Sequence, residues 1–354
     1  KRQQSSMALH RMVHVGRGCS AKTVPECSPV PIRKRVVCCL HRDEFLPEGV
    51  GPLFPEHQPL SALREAMDRQ TVLTGLALRC SSQGELAIDL GGYEGIIPRE
   101  EGAVGIDDGT VRDIALISKV GKRVCFSILG FQREDDGPFT AILSRRAVQL
   151  RCKAEFLDTL EPGDVIPARV THLEKFGAFI DVGAGLNALI PIDMLSVSRI
   201  DHPRARLREG QELRVVLRSR EPDKLTFSLK ELLGTWQQNA AGFSSGETVP
   251  GVVRSVEPYG VFVELTPNLA GLAEPSAALE PGQPVAVYVK SILPEKMKIK
   301  LVVVEAFDPP APVTPLTYYM DGTRMDRWVY STPTAPRQTV TDFAALRSQE
   351  KSTL

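Results

Sequence analysis

Residues 168–191, ARVTHLEKFGAFIDVGAGLNALIP, recur in altered form as GLALRCSSQGELAIDLGGYEGIIP at 75–98 and as GVVRSVEPYGVFVELTPNLAGLAEP at 251–275. Each copy reads as a strand, a glycine turn, a strand, a loop and a short strand. Two further segments with alternating apolar residues follow each copy, and this alternation is the period of a half-buried strand. Five short strands per repeat, rich in glycine and without a strand–helix–strand pattern, predict three consecutive five-stranded antiparallel barrels.

The repeats divide an all-β dominated chain into barrels joined by short helices. The predicted divisions are a basic, disordered leader (1–42), a linker with a short helix (43–70), a first barrel (71–147), a linker helix (148–161), a second barrel (162–230), a linker helix (231–245), a third barrel (246–305) and a Pro-rich tail with an aromatic hairpin (306–354). Ser61 is the expected cap of the first helix. Ser228 and Glu231, at capping-box spacing, predict the start of the second linker helix.

The tail after the third barrel combines a turn signal with aromatic residues. Asp321-Gly322 is a strong two-residue hairpin signal. Four of the eight Tyr and Trp residues lie in this tail: Tyr318, Tyr319, Trp328 and Tyr330. Because aromatic rings are costly to leave in water, we expect the tail to dock on another surface, which makes a protein partner one candidate.

Charge is balanced over the whole chain but not along it. The chain has 43 Lys and Arg against 43 Asp and Glu, while the leader holds nine basic residues against Glu26 alone. The barrels are therefore mildly acidic, and no global basic field indicates a nucleic-acid partner. The absence of any run of about 18 apolar residues excludes a membrane span, and no membrane is expected among the partners. Seven cysteines without a CxxC pair favour a reduced, cytoplasmic protein.

The sequence lacks the familiar catalytic motifs. The sequence contains no phosphate-binding GxxxxGK[ST] loop, no HExxH and no GxSxG. The GxGxxA match at residues 183–188 leads into a strand instead of a helix, so it lacks the helix N-terminus that holds a pyrophosphate. His10, His14 and Cys19 fit no usual zinc spacing with the leader's other cysteines. We therefore expect no enzyme activity, no metal and no cofactor.

The informative motif is aromatic-Gly-x-aromatic in the second strand of two repeats. Phe176 and Phe179 flank Gly177 in the second barrel, and Tyr259 and Phe262 stand in the same pattern in the third. Two rings on one face of a barrel suit stacking of unpaired bases. The alternative is that one ring of each pair belongs to the barrel core.

Basic residues near these motifs are candidates for contacts to phosphates. They are Lys175, Arg199, Arg204, Arg206, Arg208 and Lys224 in the second barrel, and Lys290, Lys296 and Lys298 in the third. The alternative for the arginine run is an ordinary solvated loop.

The second barrel resembles the S1-type RNA-binding domain family. From residue 162 it carries PGDV, FGAFID, GLNALIP, GQELRVV and KLTFSLK in the family's order. The third repeat resembles the family nearly as well and the first is a degenerate relative, so the resemblance covers about 71–305. It implies an OB-fold and RNA binding. The whole chain is similar to the ribosomal protein S1-like family of Gram-positive anaerobic bacteria.

The resemblance also implies particular contact residues and two departures. The family's aromatic pair corresponds to Phe176 with Phe179 and to Tyr259 with Phe262, and its fifth-strand Arg corresponds to Lys224 and Lys298. The family's His is replaced by Pro191 in the second barrel and Glu274 in the third, and its Asp by Arg220 and Pro294. Because Glu274 would repel phosphate, the second barrel is expected to carry most of the affinity.

The first barrel departs further, since its second strand reads SSQGELAID and has no aromatic pair. A structural or protein-docking role is the expectation for it. For the whole chain the leading hypothesis is a non-enzymatic binder of single-stranded RNA, namely mRNA, that acts in translation with the small ribosomal subunit as a partner. The alternatives are a protein-interaction scaffold with vestigial RNA binding and an accessory subunit of an RNA-degrading or RNA-modifying enzyme.

Overall fold

The structure is a computed structural model that describes residues 44–51, 57, 59–133, 139–221, 224–309, 311 and 315–353. The basic leader predicted for residues 1–42 lies outside this range. Within it, the chain forms three closed five-stranded barrels, which confirms the predicted fold. None of the helices in the described segments is long and apolar enough to cross a membrane.

The first barrel follows helix α1 (Leu60–Asp68). Its elements are β1 (Leu73–Cys80), β2 (Leu86–Asp89), β3 (Glu94–Ile97), helix α2 (Ile114–Ile117), β4 (Arg123–Arg133) and β5 (Phe139–Ser144). The barrel order is β1-β2-β3-β5-β4, and β3 pairs with β5 in parallel. The barrels are therefore mixed, not purely antiparallel as predicted, because one parallel pair closes each ring. Pro59, not Ser61, is the N-cap residue of α1, and it makes no side-chain cap hydrogen bond.

The second barrel follows a helical linker. The elements are α3 (Arg145–Arg151), a π-helical turn (Cys152–Phe156), a 3-10 turn (Leu157–Thr159), β6 (Val165–Glu174), β7 (Gly177–Asp181), β8 (Asn187–Pro191), β9 (Glu212–Glu221) and β10 (Lys224–Ser228). Short 3-10 turns at Ile192–Met194 and Pro203–Ala205 shape the long loop between β8 and β9. The Ser144 side chain caps α3 by accepting from the Ala147 N–H at 2.8 Å.

The third barrel follows a 3-10 turn (Lys230–Leu233) and helix α4 (Trp236–Ala240). Its elements are β11 (Thr248–Glu257), β12 (Gly260–Thr266), β13 (Leu269–Ala273), β14 (Pro284–Leu293), a 3-10 turn (Pro294–Lys296) and β15 (Lys298–Ala306). The predicted capping box at Ser228 is wrong, because β10 continues to that residue. The capping box of α4 is instead formed by Thr235 and Gln238.

A buried carboxylate joins the first barrel to the second. Glu48 accepts hydrogen bonds from Arg145 Nε at 2.6 Å and from Lys119 Nζ at 2.7 Å, and its backbone N–H donates to Asp181 at 2.7 Å. Burial alone would raise the pKa of Glu48, but the cations of Arg145 and Lys119 outweigh it and lower the pKa to about 2. The network therefore holds an ionised carboxylate inside the junction.

A second buried carboxylate joins the second barrel to the third. Glu264 in β12 is 3% exposed and pairs with Arg206 from the loop before β9. Arg254 in β11 donates to the same carboxylate at 2.8 and 3.0 Å. Asp181 in β7 and Glu264 in β12 occupy equivalent positions in the second strand of their barrels. Each junction is therefore formed at the same position of the barrel that follows it.

The tail returns across the second and third barrels. Strands β16 (Arg327–Val329) and β17 (Val340–Asp342) pair antiparallel, which confirms a two-stranded element, and helix α5 (Phe343–Thr353) follows. The turn predicted at Asp321-Gly322 is wrong, because the two strands are joined through residues 330–339. Trp328 and Tyr330 are buried in the core of the third barrel.

The rest of the tail packs on the second barrel. The hydroxyl of Tyr318 accepts from the Arg214 N–H at 3.0 Å, and Phe343 packs with Val165 and Val216. These aromatic residues of the tail therefore dock on the chain's own barrels.

Candidate nucleic-acid interface

The aromatic pair of the second barrel lies on its outer surface. Phe176 occupies the turn before β7 and is 56% exposed, while Phe179 is half-buried. Their ring centroids are 5.9 Å apart and the planes are nearly perpendicular at 89°. A side chain at Gly177 would place its Cβ 2.4 Å from the carbonyl oxygen of Ile190. Glycine is therefore required for β7 to approach β8 closely enough to present both rings.

The third barrel repeats this arrangement. Tyr259 is 64% exposed and Phe262 is half-buried, with centroids 6.2 Å apart and planes at 86°. A Cβ at Gly260 would lie 2.6 Å from the carbonyl oxygen of Ala273. The same local requirement therefore produces the same pair of rings in both barrels.

Strand register places each half-buried ring in a row that crosses the barrel surface. In the second barrel the row is His172, Phe179, Leu189, Thr226 and Ser219, and none of these residues is buried. Such a row provides apolar and hydrogen-bonding surface beside the aromatic pair. It is wide enough to cross all five strands of the barrel.

The equivalent rows distinguish the three barrels. The row of the third barrel is Ser255, Phe262, Leu272, Lys300 and Ser291. In the first barrel the row is Arg79, Ala87, Ile96, Ile142 and Gly130. The first barrel thus has no ring at the position that carries Phe179 and Phe262.

Most of the predicted basic contacts lie on the surface. Those that are exposed are Lys175, Arg199, Arg204, Arg208, Lys224, Lys290, Lys296 and Lys298. Lys224 lies at the start of β10 and Lys298 at the start of β15. They flank the rows just described, so cations are available beside both aromatic pairs.

The prediction for Arg206 is wrong. This residue is 2% exposed, and both its terminal nitrogens donate to Glu264 of the third barrel. The 3-10 turn at Pro203–Ala205 directs Arg204 outward and Arg206 inward. Arg206 therefore joins two barrels and is not available to a ligand.

Two residues on these surfaces were missed by the sequence analysis. His172 stands opposite Phe179, and its ring nitrogens contact Glu174 and Glu209. Lys300 stands beside Leu272 in the third barrel. The register of His172 depends on a bulge in β6 between Val170 and His172, which no sequence signal marks.

These surfaces offer the two features that bind unpaired nucleotides, exposed aromatic rings and nearby cations. Unpaired bases stack on aromatic rings at about 1–3 kcal/mol per base, and nearby cations neutralise phosphates. No group of three or more His, Cys, Asp and Glu that could hold a metal occurs among the described residues. Burial raises the pKa of the Cys125 and Cys152 thiols, so neither is an activated nucleophile.

Comparisons with known proteins agree with this description. Residues 159–229 match the S1 RNA binding domain family. The chain is 32% identical over 237 residues to the small ribosomal subunit protein bS1 homolog of Bacillus subtilis, an alignment that covers 62% of this chain and 59% of the relative. It is 29% identical over 259 residues to the small ribosomal subunit protein bS1 of Staphylococcus aureus, covering 68% and 63%. The chain thus spans about three fifths of the length of these curated relatives.

A solved multidomain protein with nucleic acid binding domains from Streptococcus pneumoniae is also similar. It is 16% identical, and the alignment covers 71% of this chain and 75% of that chain. The TM-score of this match is 0.23.

Proposed function

We propose that this chain, which carries an S1 RNA-binding domain and is a relative of small ribosomal subunit protein bS1, binds single-stranded RNA without catalysing a reaction. Its ligand is mRNA, its setting is translation in the cytoplasm, and the small ribosomal subunit is its partner. The observation that carries the proposal is the perpendicular aromatic pair, with one ring exposed, on the outer face of two barrels. Such rings stack on unpaired bases regardless of sequence.

Phosphates are neutralised by the cations around each pair. Lys175, Arg204 and Lys224 serve the second barrel, and Lys298 serves the third. Few phosphates are contacted by each barrel, so affinity should fall only gently with salt.

The second and third barrels act on one strand. The Glu264 network and the returning tail hold these two barrels together. Binding at one barrel therefore raises the effective concentration of RNA at the other, which increases affinity beyond that of a single module.

A second candidate role is protein docking by the first barrel. Several apolar side chains there are exposed, among them Leu78, Ile114, Ile117 and Val120. The backbone N–H of Gly121 donates to the carbonyl of Ala77 at 2.8 Å, which brings the segment after α2 next to Leu78. Exposed apolar side chains in one region favour contact with a protein over contact with RNA.

The proposed RNA site is tested by fluorescence anisotropy of a labelled, unstructured oligoribonucleotide titrated with the full chain at two salt concentrations. Phe176→Ala with Phe179→Ala should weaken binding at least about tenfold, because two stacking surfaces are lost. Phe307→Ala is the matched control, because it removes an exposed ring that lies outside both aromatic rows. Equal affinity of the double variant and the control would contradict the proposal.

A further inference from the structure

His172 is a titratable residue beside the aromatic pair of the second barrel. It lies in β6 directly opposite Phe179, and its side chain is 54% exposed. Nothing in the aromatic-Gly-x-aromatic motif requires a histidine at this position. The ring nevertheless contacts two carboxylates, and these contacts depend on its protonation state.

Two carboxylates face the His172 ring from two different elements. Nε2 lies 2.7 Å from Glu174 of the same strand, and Nδ1 lies 3.2 Å from Glu209 of the loop before β9. The partner strand β7 contributes Phe179 and no charge at this register, and Lys175 follows in the turn. Within the described part of the chain neither carboxylate forms an ion pair with any residue other than His172.

The cation of the same strand, Arg169, is occupied elsewhere. Arg169 of β6 donates from Nε to the carbonyl of Gly210 at 3.0 Å and from Nη1 to the carbonyl of Glu48 at 2.8 Å. Among the described residues, His172 is therefore the group that pairs with both Glu174 and Glu209 at this edge of the RNA face.

Only the protonated ring can serve both carboxylates. A neutral imidazole has one N–H donor and one acceptor nitrogen, whereas the imidazolium donates from both. The hydrogen bond to Glu174 is the main reason that the pKa of His172 is raised above its ordinary value, and the contact with Glu209 adds to it. The ring therefore keeps its positive charge to a higher pH than an unperturbed histidine does.

We propose that His172 tunes the affinity of the RNA face: as an imidazolium it offsets one of the two negative charges of Glu174 and Glu209 beside Phe179 and so weakens their repulsion of a phosphate, and as a neutral ring it leaves both charges in place. The inference rests on the proposed RNA-binding function and adds a dependence on proton uptake at one residue. RNA affinity should therefore rise as the pH falls through the His172 transition.

The test is anisotropy with the full chain between about pH 6 and about pH 8, where most nucleobases do not titrate. Wild-type affinity should fall about three- to fivefold across this range, the size expected of one exposed ion pair. His172→Gln should show no such change. His172→Arg, which stays charged, should keep high affinity at the upper pH.

Two further variants isolate the cause. Glu174→Gln with Glu209→Gln should bind more tightly than wild type at about pH 8, because the repelling charges are gone, and its remaining pH response should shift to lower pH, because the two carboxylates no longer raise the pKa of His172. His202→Gln is the matched control from the same loop and should keep the wild-type response. A wild-type affinity that does not change with pH, or a His172→Gln variant with the wild-type slope, would overturn the inference.

The outcome also separates this inference from the proposed function. Binding that is lost in the Phe176→Ala, Phe179→Ala variant but does not respond to pH would refute only the role of His172. No RNA binding at either pH would refute both.

Discussion

The buried carboxylate between the second and third barrels gives a sharp prediction about stability. Glu264 accepts hydrogen bonds from Arg206 and Arg254, and all three side chains are largely withdrawn from water. Glu264→Ala would leave two guanidinium groups facing each other without a counterion. We expect this single change to destabilise the third barrel and its junction with the second.

The magnitude follows from the burial of the network. Removing one partner of a buried ion pair costs about 3–5 kcal/mol, because the remaining charge stays desolvated and unpaired. With a urea dependence of about 1–3 kcal/mol per molar, the unfolding midpoint should fall by on the order of 1–5 M. Arg206→Met should cost less than half as much, because Arg254 still neutralises Glu264 and the methionine fills the space.

The assay is urea unfolding followed by tryptophan fluorescence. The chain's two tryptophans, Trp236 and Trp328, both lie in the core of the third barrel, so the signal reports on that barrel. Glu274→Ala is the matched control, because Glu274 is an exposed carboxylate of the same barrel and its loss should change stability by less than about 0.5 kcal/mol. A Glu264→Ala midpoint equal to that of Glu274→Ala would refute the reasoning.

Three other changes test other parts of the molecule. Lys300→Ala should weaken RNA binding about two- to fivefold relative to wild type in the same titration. The loss should be at least as large as that of Lys298→Ala, because Lys300 lies in the row of Phe262. A larger loss in Lys298→Ala would contradict this argument from strand register. Glu48→Gln should reduce the dependence of the unfolding free energy on pH in acid. The lowered pKa of about 2 means that the Glu48 carboxylate stabilises the fold by about 3 kcal/mol above about pH 4.5, and this contribution is lost as the pH falls toward 2. Equal pH dependence of unfolding in wild type and variant, followed by circular dichroism, would contradict it. Phe343→Ala should destabilise the packing of the tail on the second barrel by about 3–5 kcal/mol and speed proteolysis of the tail. An unchanged cleavage rate would show that other contacts hold the tail.

The barrels were predictable because period-two alternation and glycine turns are local signals. The aromatic pairs were predictable for the same reason, since the two rings of each pair lie three positions apart in sequence, one in the turn before the strand and one in the strand. Gly177 and Gly260 are required by a neighbouring carbonyl at 2.4 and 2.6 Å. Here the local pattern and the tertiary contact lead to the same structure.

Other features depend on contacts distant in sequence. Arg206 reads as one more cation in a basic loop, yet its direction is decided by Glu264, 58 residues later. Glu231 reads as part of a capping box, yet it is buried, and Oε1 accepts from the Thr341 hydroxyl at 3.0 Å. No pattern within the loop or the linker contains this information.

The tail shows tertiary packing overriding turn propensity. Asp321-Gly322 is a favourable hairpin dipeptide, but the nearby backbone is held by other contacts. The terminal nitrogens of Arg214 donate to the carbonyls of Met320 and Gly322, at 2.5 and 2.7 Å. Burial of Trp328 in the third barrel then fixes where the strands of the tail begin.

The most direct test of the account is to map where RNA touches the full chain. An oligoribonucleotide carrying photoreactive uridines would be cross-linked to the protein, and the modified peptides would be identified by mass spectrometry. The account predicts cross-links at the Phe176–Phe179 segment, with Tyr259–Phe262 as the second site. Cross-links confined to the first barrel or to the tail would contradict it.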